Sequence, residues 1–303
     1  MALGPLDRMN QFQDAFSMLE GNKQQRRLAF SLIELLVVVV ILAILAGLLL
    51  PVLANAKARS QSIYCLNNEK QLSLACLMYA GDFDDRLPYN LGAAEIKQLE
   101  SQKRFLNWST PVMSWELDPH NTNIVQLTAG GIGPYVGFRP RVYRCPCDSV
   151  VSDIQAAAGW ANRVRSISMN AMVGDAGQFS RTGANINNPD YRQFFKQAHI
   201  PQPSKVFVFV EEHPDSINDG YFLNHPDSLR WMDLPASYHR GSANLSYADG
   251  HLESHRWHFS STQPPARPDA VRLPLSVPLA EREDFDWLME RTSVDAEQTL
   301  EGY

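Results

Sequence analysis

Apolar and polar positions along the chain fall around one stretch. From Leu35 to Ala56 no charged side chain interrupts a run dominated by Leu, Val, Ile and Ala, and a single acid, Glu34, sits just before it. As a helix at 1.5 Å per residue the run extends about 33 Å, against a hydrocarbon core of about 30 Å, so it is long enough to cross a bilayer once. The helical pattern continues beyond it. Residues 56–79 contain neither Pro nor Gly and are rich in helix formers, and Pro51 is expected to bend the helix rather than end it. At 100° per residue Cys65, Leu72, Cys76 and Tyr79 share one face, while Asn67, Asn68, Glu69, Lys70 and Gln71 are expected mostly elsewhere. That stripe needs a surface to pack on.

The rest of the chain reads as short strands between irregular segments. Residues 89–130, with Trp108, Pro111, Trp115 and Pro119, are poorly periodic and read as an irregular insertion. Arg141 to Asp148 reads as a short strand ending in a turn. Ser166–Asn170 and Lys205–Glu211 are predicted strands; the second is apolar on both faces and therefore central. Residues 174–203 are mostly polar loop. Asp249-Gly250, set between two alternating runs, predicts a hairpin with a two-residue turn whose positive φ angles Asp and Gly tolerate. Residues 260–279 are Pro-rich, and Phe285, Leu288 and Met289 lie at helical spacing in a short terminal helix. The fold class is α+β: one long N-terminal helix whose outer half packs on an antiparallel sheet.

Composition narrows the function. With 303 residues and 45% hydrophobic content the chain can bury a proper core, and a net charge of −6 without a long basic run excludes a general attraction to nucleic acid. Ahead of the span, Arg8, Lys23, Arg26 and Arg27 place the amino terminus in the cytoplasm by the positive-inside rule, so the remainder faces outward. Met9 and Met18 stand as alternative start codons. Ala54-Asn55-Ala56 also has the form of an ordinary signal-peptidase site, but the apolar run is longer than a signal h-region and Glu34 would then have no purpose.

Arg26-Arg27-Leu28-Ala29 followed by Phe30-Ser31-Leu32-Ile33-Glu34-Leu35-Leu36 resembles the processing and methylation signal of type IV prepilins and type II secretion pseudopilins. The resemblance implies a membrane prepilin peptidase that cuts between Ala29 and Phe30 and methylates the new amino terminus. It makes Glu34 the assembly acid that meets a neighbouring subunit's amine, and Pro51 the helix-kinking proline. Residues 1–29 are then a cytoplasmic leader, 30–56 the transmembrane helix, and 57–303 a periplasmic or extracytoplasmic globular domain. That domain would carry the 89–130 insertion and a Pro-rich tail with a short helix over 260–303. Cys65 through Pro88 resembles the helix and its exit in a bacterial branch of pseudopilin-like proteins. His239, nine residues and Asp249-Gly250 resemble that branch's carboxy-terminal element.

Cys145 matches the cysteine of a Cys-Pro-x-Asp element in the same branch. Cys65 and Cys76 are about 16 Å apart along one helix, whereas a disulfide needs Cα atoms within about 7 Å. Any bridge is therefore tertiary, and following the resemblance the pairing expected is Cys65 with Cys145, with Cys76 and Cys147 left open. A zinc site made from all four cysteines has poor ligand spacing. His239, Asp249, His251, His255 and His258 gather metal-ligand types, but His251 and His255 would lie about 13 Å apart along a strand, so turn and edge roles are expected. Asp82, Asp84 and Asp85 could offer oxygens to calcium, which some major pseudopilins bind. Lacking the glycine and distal glutamate of an EF-hand, they are expected to form an acidic turn without a cofactor.

The expected function is thus architectural, not enzymatic: an inner-membrane, single-pass subunit of a type II secretion pseudopilus or type IV pilus-like filament. Its partners would be the lipid bilayer, the prepilin peptidase, an assembly platform, and copies of itself or other pseudopilins in a helical filament. The competing readings are a secreted or anchored binding or hydrolytic domain using the His-rich hairpin, and a minor tip adhesin.

Overall fold

The computed structural model describes residues 31–296. The chain divides into two compact units, Met1–Ala54 and Asn55–Tyr303. Helix α1, Leu32–Asp82, supplies almost all that is described of the first and opens the second, with Pro51 inside it. Among the described residues it is the one helix long and apolar enough to cross a membrane. Its most apolar window has a mean hydropathy of 3.2 and none of it is buried by protein. Leu, Val and Ile side chains from Leu32 to Leu53 are exposed, which water would penalise by about 25 cal/mol per Å² and hydrocarbon would not.

In the second unit a five-stranded sheet forms from β1 (Ile167–Asn170), β2 (Phe207–Glu211), β3 (Tyr221–Phe222), β5 (Ser242–Tyr247) and β6 (Leu252–Arg256), in the order β3-β1-β2-β5-β6. Strand β2 is central and buried at every position, as its two-faced apolar pattern requires. The sheet is mixed: β3 runs parallel to β1 and the other pairs are antiparallel. Two core clusters take most of the apolar strand residues. One joins Leu72, Ala75, Cys76 and Tyr79 of α1 to Ile167, Met169, Val208 and Phe209. The other joins Phe207, Val210, Leu245 and Tyr247 to Phe285, Leu288 and Met289 of the last helix, α5 (Arg282–Met289). The fold is therefore α+β, with the outer half of a long N-terminal helix packed against a largely antiparallel sheet.

Several local expectations change. Arg141–Asp148 holds no strand; Pro140–Tyr143 is a 3-10 turn, started by a Pro whose fixed φ suits a first helical position. Residues 89–130 are no appendage: they contain α2 (Ala93–Ser101) and α3 (Ile124–Ala129), and they send Trp108, Met113 and Leu127 into the main core. A further helix, α4 (Asp153–Ala157), is opened by a Ser152–Gln155 capping box. The Pro-rich tail contributes β7 (Leu275–Ser276), paired antiparallel with β4 (Arg230–Trp231). The β5–β6 hairpin has three loop residues rather than two. Tyr247 N–H bonds the His251 carbonyl, Gly250 N–H bonds the Tyr247 carbonyl, and Gly250 alone takes a positive φ, 85°. This is a type I turn followed by a left-handed Gly, a common three-residue loop. The Lys70 ammonium then donates to the Gly250 carbonyl at 2.6 Å, fixing hairpin to helix.

Gly133 is required by contact alone. A Cβ at Gly133 would stand 1.8 Å from the Thr128 carbonyl oxygen, so α3 and the following turn cannot both keep their places around a side chain. Gly133→Ala is expected to destabilise the protein by about 3 kcal/mol, the upper end of overpacking costs. Thermal unfolding of the full chain in detergent checks this; an unchanged midpoint would contradict the close approach.

Candidate functional site

Between α1 and the sheet, four buried residues from four parts of the chain converge. Cys65 faces inward from α1. One turn further along, Asn68 Nδ2 donates to the carbonyls of Arg141 and Arg144 at 3.2 and 3.1 Å, holding the 3-10 turn on the helix and delivering Cys145 beside Cys65. The Cys145 N–H donates to Ser166 Oγ at 2.6 Å. Glu211 ends β2, and its Oε2 accepts the Asn244 N–H of β5 at 2.9 Å. His239 sits just before β5, where Arg240 and Gly241 turn the chain through φ angles of 61° and 84°.

The side-chain tips are close. Cys65 Sγ and Cys145 Sγ are 2.6 Å apart, Cys145 Sγ and His239 Nε2 3.4 Å, and His239 Nε2 and Glu211 Oε1 3.0 Å. The ligand atoms of all four residues lie within 4.8 Å of one another. Cys147 Sγ approaches His239 Nδ1 at 3.8 Å from the rim, whereas Cys76 is buried in the apolar core. The four cysteines therefore do not assemble into one site.

Glu69 completes the surroundings. It is fully buried on the next turn of α1 from Cys65, and neither carboxyl oxygen has a hydrogen-bond partner among the described residues. Burial first, then the nearby Glu211 carboxylate, raises its pKa well above the ordinary value. Burial likewise pushes the Cys145 thiol up. For His239, burial works against the charge, but bonds to Cys147, Cys65 and Glu211 carry its pKa up to about 12. Cys147 moves down to about 5, chiefly through its bond with Cys145. Such a group is a metal-ligand set, or else an imidazolium-carboxylate pair beside two thiols.

The sequence led to an expected pairing of Cys65 with Cys145, to a turn or edge role for His239 and to Glu211 only as the end of a strand, and it placed Asn68 and Glu69 mostly off the buried face; in the structure the two cysteines meet as free thiols. Counting again at 100° per residue, Glu69 lies about 40° and Asn68 about 60° from Cys65, so their polarity, not their position, hid them. The remaining hairpin histidines go elsewhere. His251 pairs with Asp249 at 2.6 Å and stacks on Tyr247, and His255 stacks on Trp287 at 3.5 Å. Asp82 accepts the Tyr135 hydroxyl at 2.7 Å, and Asp85 accepts the Ala198 N–H at 2.8 Å.

At the other end of α1, Ser31 and Glu34 bond reciprocally. Glu34 N–H donates to Ser31 Oγ at 3.2 Å, while Glu34 Oε2 accepts the Ser31 N–H at 2.8 Å and the Ser31 hydroxyl at 2.7 Å. This is a capping box, Ser-x-x-Glu, which satisfies two of the donors a helix start leaves open. The carboxylate therefore has a local partner in its own chain. The segment combines a basic approach, an acid at the fourth position after Ala29's successor Phe30, and a membrane-length apolar helix.

Residues 24–50 match the family model of the prokaryotic N-terminal methylation motif. No curated protein and no solved structure matches the chain. The methylation motif is a type IV pilin-like signal; with the apolar helix it points to a membrane-anchored structural protein. Ala29 and Phe30 fall outside the described residues, and Glu34 and Pro51 fall on α1. Removing the cap tests the local geometry. Ser31→Ala is expected to cost the first turn about 1 kcal/mol, so amide hydrogen exchange at residues 33–35 in detergent should quicken about fivefold.

Proposed function

We propose that the chain is a pilin-like subunit, stored in the inner membrane and drawn into a type II secretion pseudopilus or a type IV pilus-like filament. The observation that carries this reading is the methylation motif over residues 24–50 at the head of an apolar helix of membrane length. A prepilin peptidase removes residues 1–29 and methylates Phe30. Glu34 then meets the freshly exposed amine of an adjacent subunit inside the hydrocarbon, where opposite charges attract far more strongly than in water. That contact sets the axial register between subunits. Repeated head to tail it does not close on itself, so it generates a helical filament.

The globular unit faces the periplasm or the cell exterior and supplies the filament's outer surface. Its work is mechanical, not catalytic, and its partners are other pilin-like subunits, the peptidase and a membrane assembly platform. Depleting the peptidase tests the reading. The chain is expected to leave the sheared filament fraction and accumulate in the membrane with its leader attached; filaments containing the chain at the normal level without the peptidase would contradict it.

A further inference from the structure

We propose that Cys65, Cys145, Glu211 and His239 form a structural zinc site that pins the outer half of α1 to the sheet. Two sulfurs, one imidazole nitrogen and one carboxylate oxygen are a donor set zinc accepts, and four protein ligands with no open position mark a structural rather than a catalytic centre. Bonds of about 2.0–2.3 Å in a tetrahedron place neighbouring donors about 3.3–3.8 Å apart. The Cys145–His239 contact at 3.4 Å already fits that spacing, and the His239–Glu211 contact at 3.0 Å nearly does. The two sulfurs, at 2.6 Å, must separate by about 1 Å, and all four ligand atoms lie within 4.8 Å of one another.

The surroundings are those of a built site. The Glu211 oxygen turned away from the cluster is held by the Asn244 N–H, and Asn244 is itself bonded to Ser62 of α1. Ser166 fixes the backbone of Cys145, and Asn68 holds the turn that carries it. Supporting bonds of this kind orient metal ligands. The independent observation is Glu69, whose buried carboxyl group has no partner among the described residues. A metal-bound thiolate gives the protonated acid a charged acceptor, which a Cys65–Cys145 disulfide does not. Zinc binding releases the thiol protons and moves no electrons, so it needs no oxidant.

The ligands come from α1, the end of the 3-10 turn held by Asn68, β2 and the approach to β5, so one ion would tie together segments up to 174 residues apart, from Cys65 to His239. To test this, the full chain is purified from membranes in detergent without chelator or reductant, and zinc is measured by mass spectrometry. About one zinc per chain is expected, with Cys65 and Cys145 both reduced and resistant to alkylation until a chelator is added. Cobalt exchanged into the site should give tetrahedral d–d absorption and a thiolate charge-transfer band. His239→Ala and Cys145→Ser should each lower retained zinc at least tenfold, while Cys76→Ser and Cys147→Ser keep it. The wild-type readouts stand even where a variant misfolds. A Cys65–Cys145 disulfide in most chains, or wild-type protein that binds neither zinc nor cobalt, overturns the proposal.

Discussion

Replacing Glu34 with Ala is expected to leave leader removal at the wild-type level and to abolish incorporation of the chain into filaments. On the proposed function the peptidase would act between Ala29 and Phe30, whereas the carboxylate would act only once a neighbour's amine arrives. An ionised group at membrane depth is costly when alone, by several kcal/mol, and breaking one side of a buried pair typically costs about 3–5 kcal/mol. At each subunit contact that is a factor of about a hundred to several thousand, and a filament repeats the contact at every step. The capping box complicates the comparison, because Glu34 also holds the first turn of α1 through Ser31. Glu34→Gln separates the two roles: glutamine can complete a capping box but carries no charge. It too should fail to assemble while keeping a protected first turn. Quantifying the mature chain in membrane and sheared-filament fractions reads both variants, and normal filaments from either would contradict an ionic role.

The second large effect belongs to the globular unit. Trp108 is fully buried, lies parallel to Tyr143 at 6.1 Å between ring centroids, meets Phe209 of β2 edge-on at 5.1 Å, and donates its indole N–H to the Gly220 carbonyl at 3.3 Å. It thereby joins residues 89–130 to the centre of the sheet. Trp108→Ala is expected to destabilise the unit by about 3–5 kcal/mol, through lost burial, a cavity and an orphaned carbonyl. In a unit of this size that lowers the unfolding midpoint by roughly 6–20 °C. Thermal unfolding of the full chain in detergent measures it, and a shift under about 2 °C would mean residues 89–130 are the independent insertion their composition suggests.

How much of this was legible depends on whether the signal was local. The apolar run, the helix continuing past Pro51, the central strand Phe207–Glu211 and the terminal helix around Phe285 all follow from periodicity within one element, and each is present in the fold. What was missed involves partners distant in sequence or a competing local preference. Strand β3, of two residues, carries almost no pattern, so its parallel pairing with β1 could not be anticipated. Arg141–Tyr143 alternates like a strand, yet Pro140 fixes a φ suited to starting a 3-10 turn. Ser31-Leu32-Ile33-Glu34 is a capping-box sequence, masked by the stronger signal of a single charge beside a long apolar run. Glu69 has a polarity that argues for exposure and an angle that places it on the buried face. Of the four-residue cluster only the pairing of Cys65 with Cys145 was expected, from the family resemblance; Glu211 and His239 join it only through the sheet.

The central claim is that residues 24–50 act as a processing signal and that the subunit works from a mature end at Phe30. Mass spectrometry of the amino-terminal peptide, taken from chain isolated in filament or membrane fractions, tests this most directly. The account predicts a peptide that begins with N-methylated Phe30 and contains an unmodified Glu34. A chain that begins at Lys57, or one that keeps residues 1–29 within an assembled filament, would contradict it.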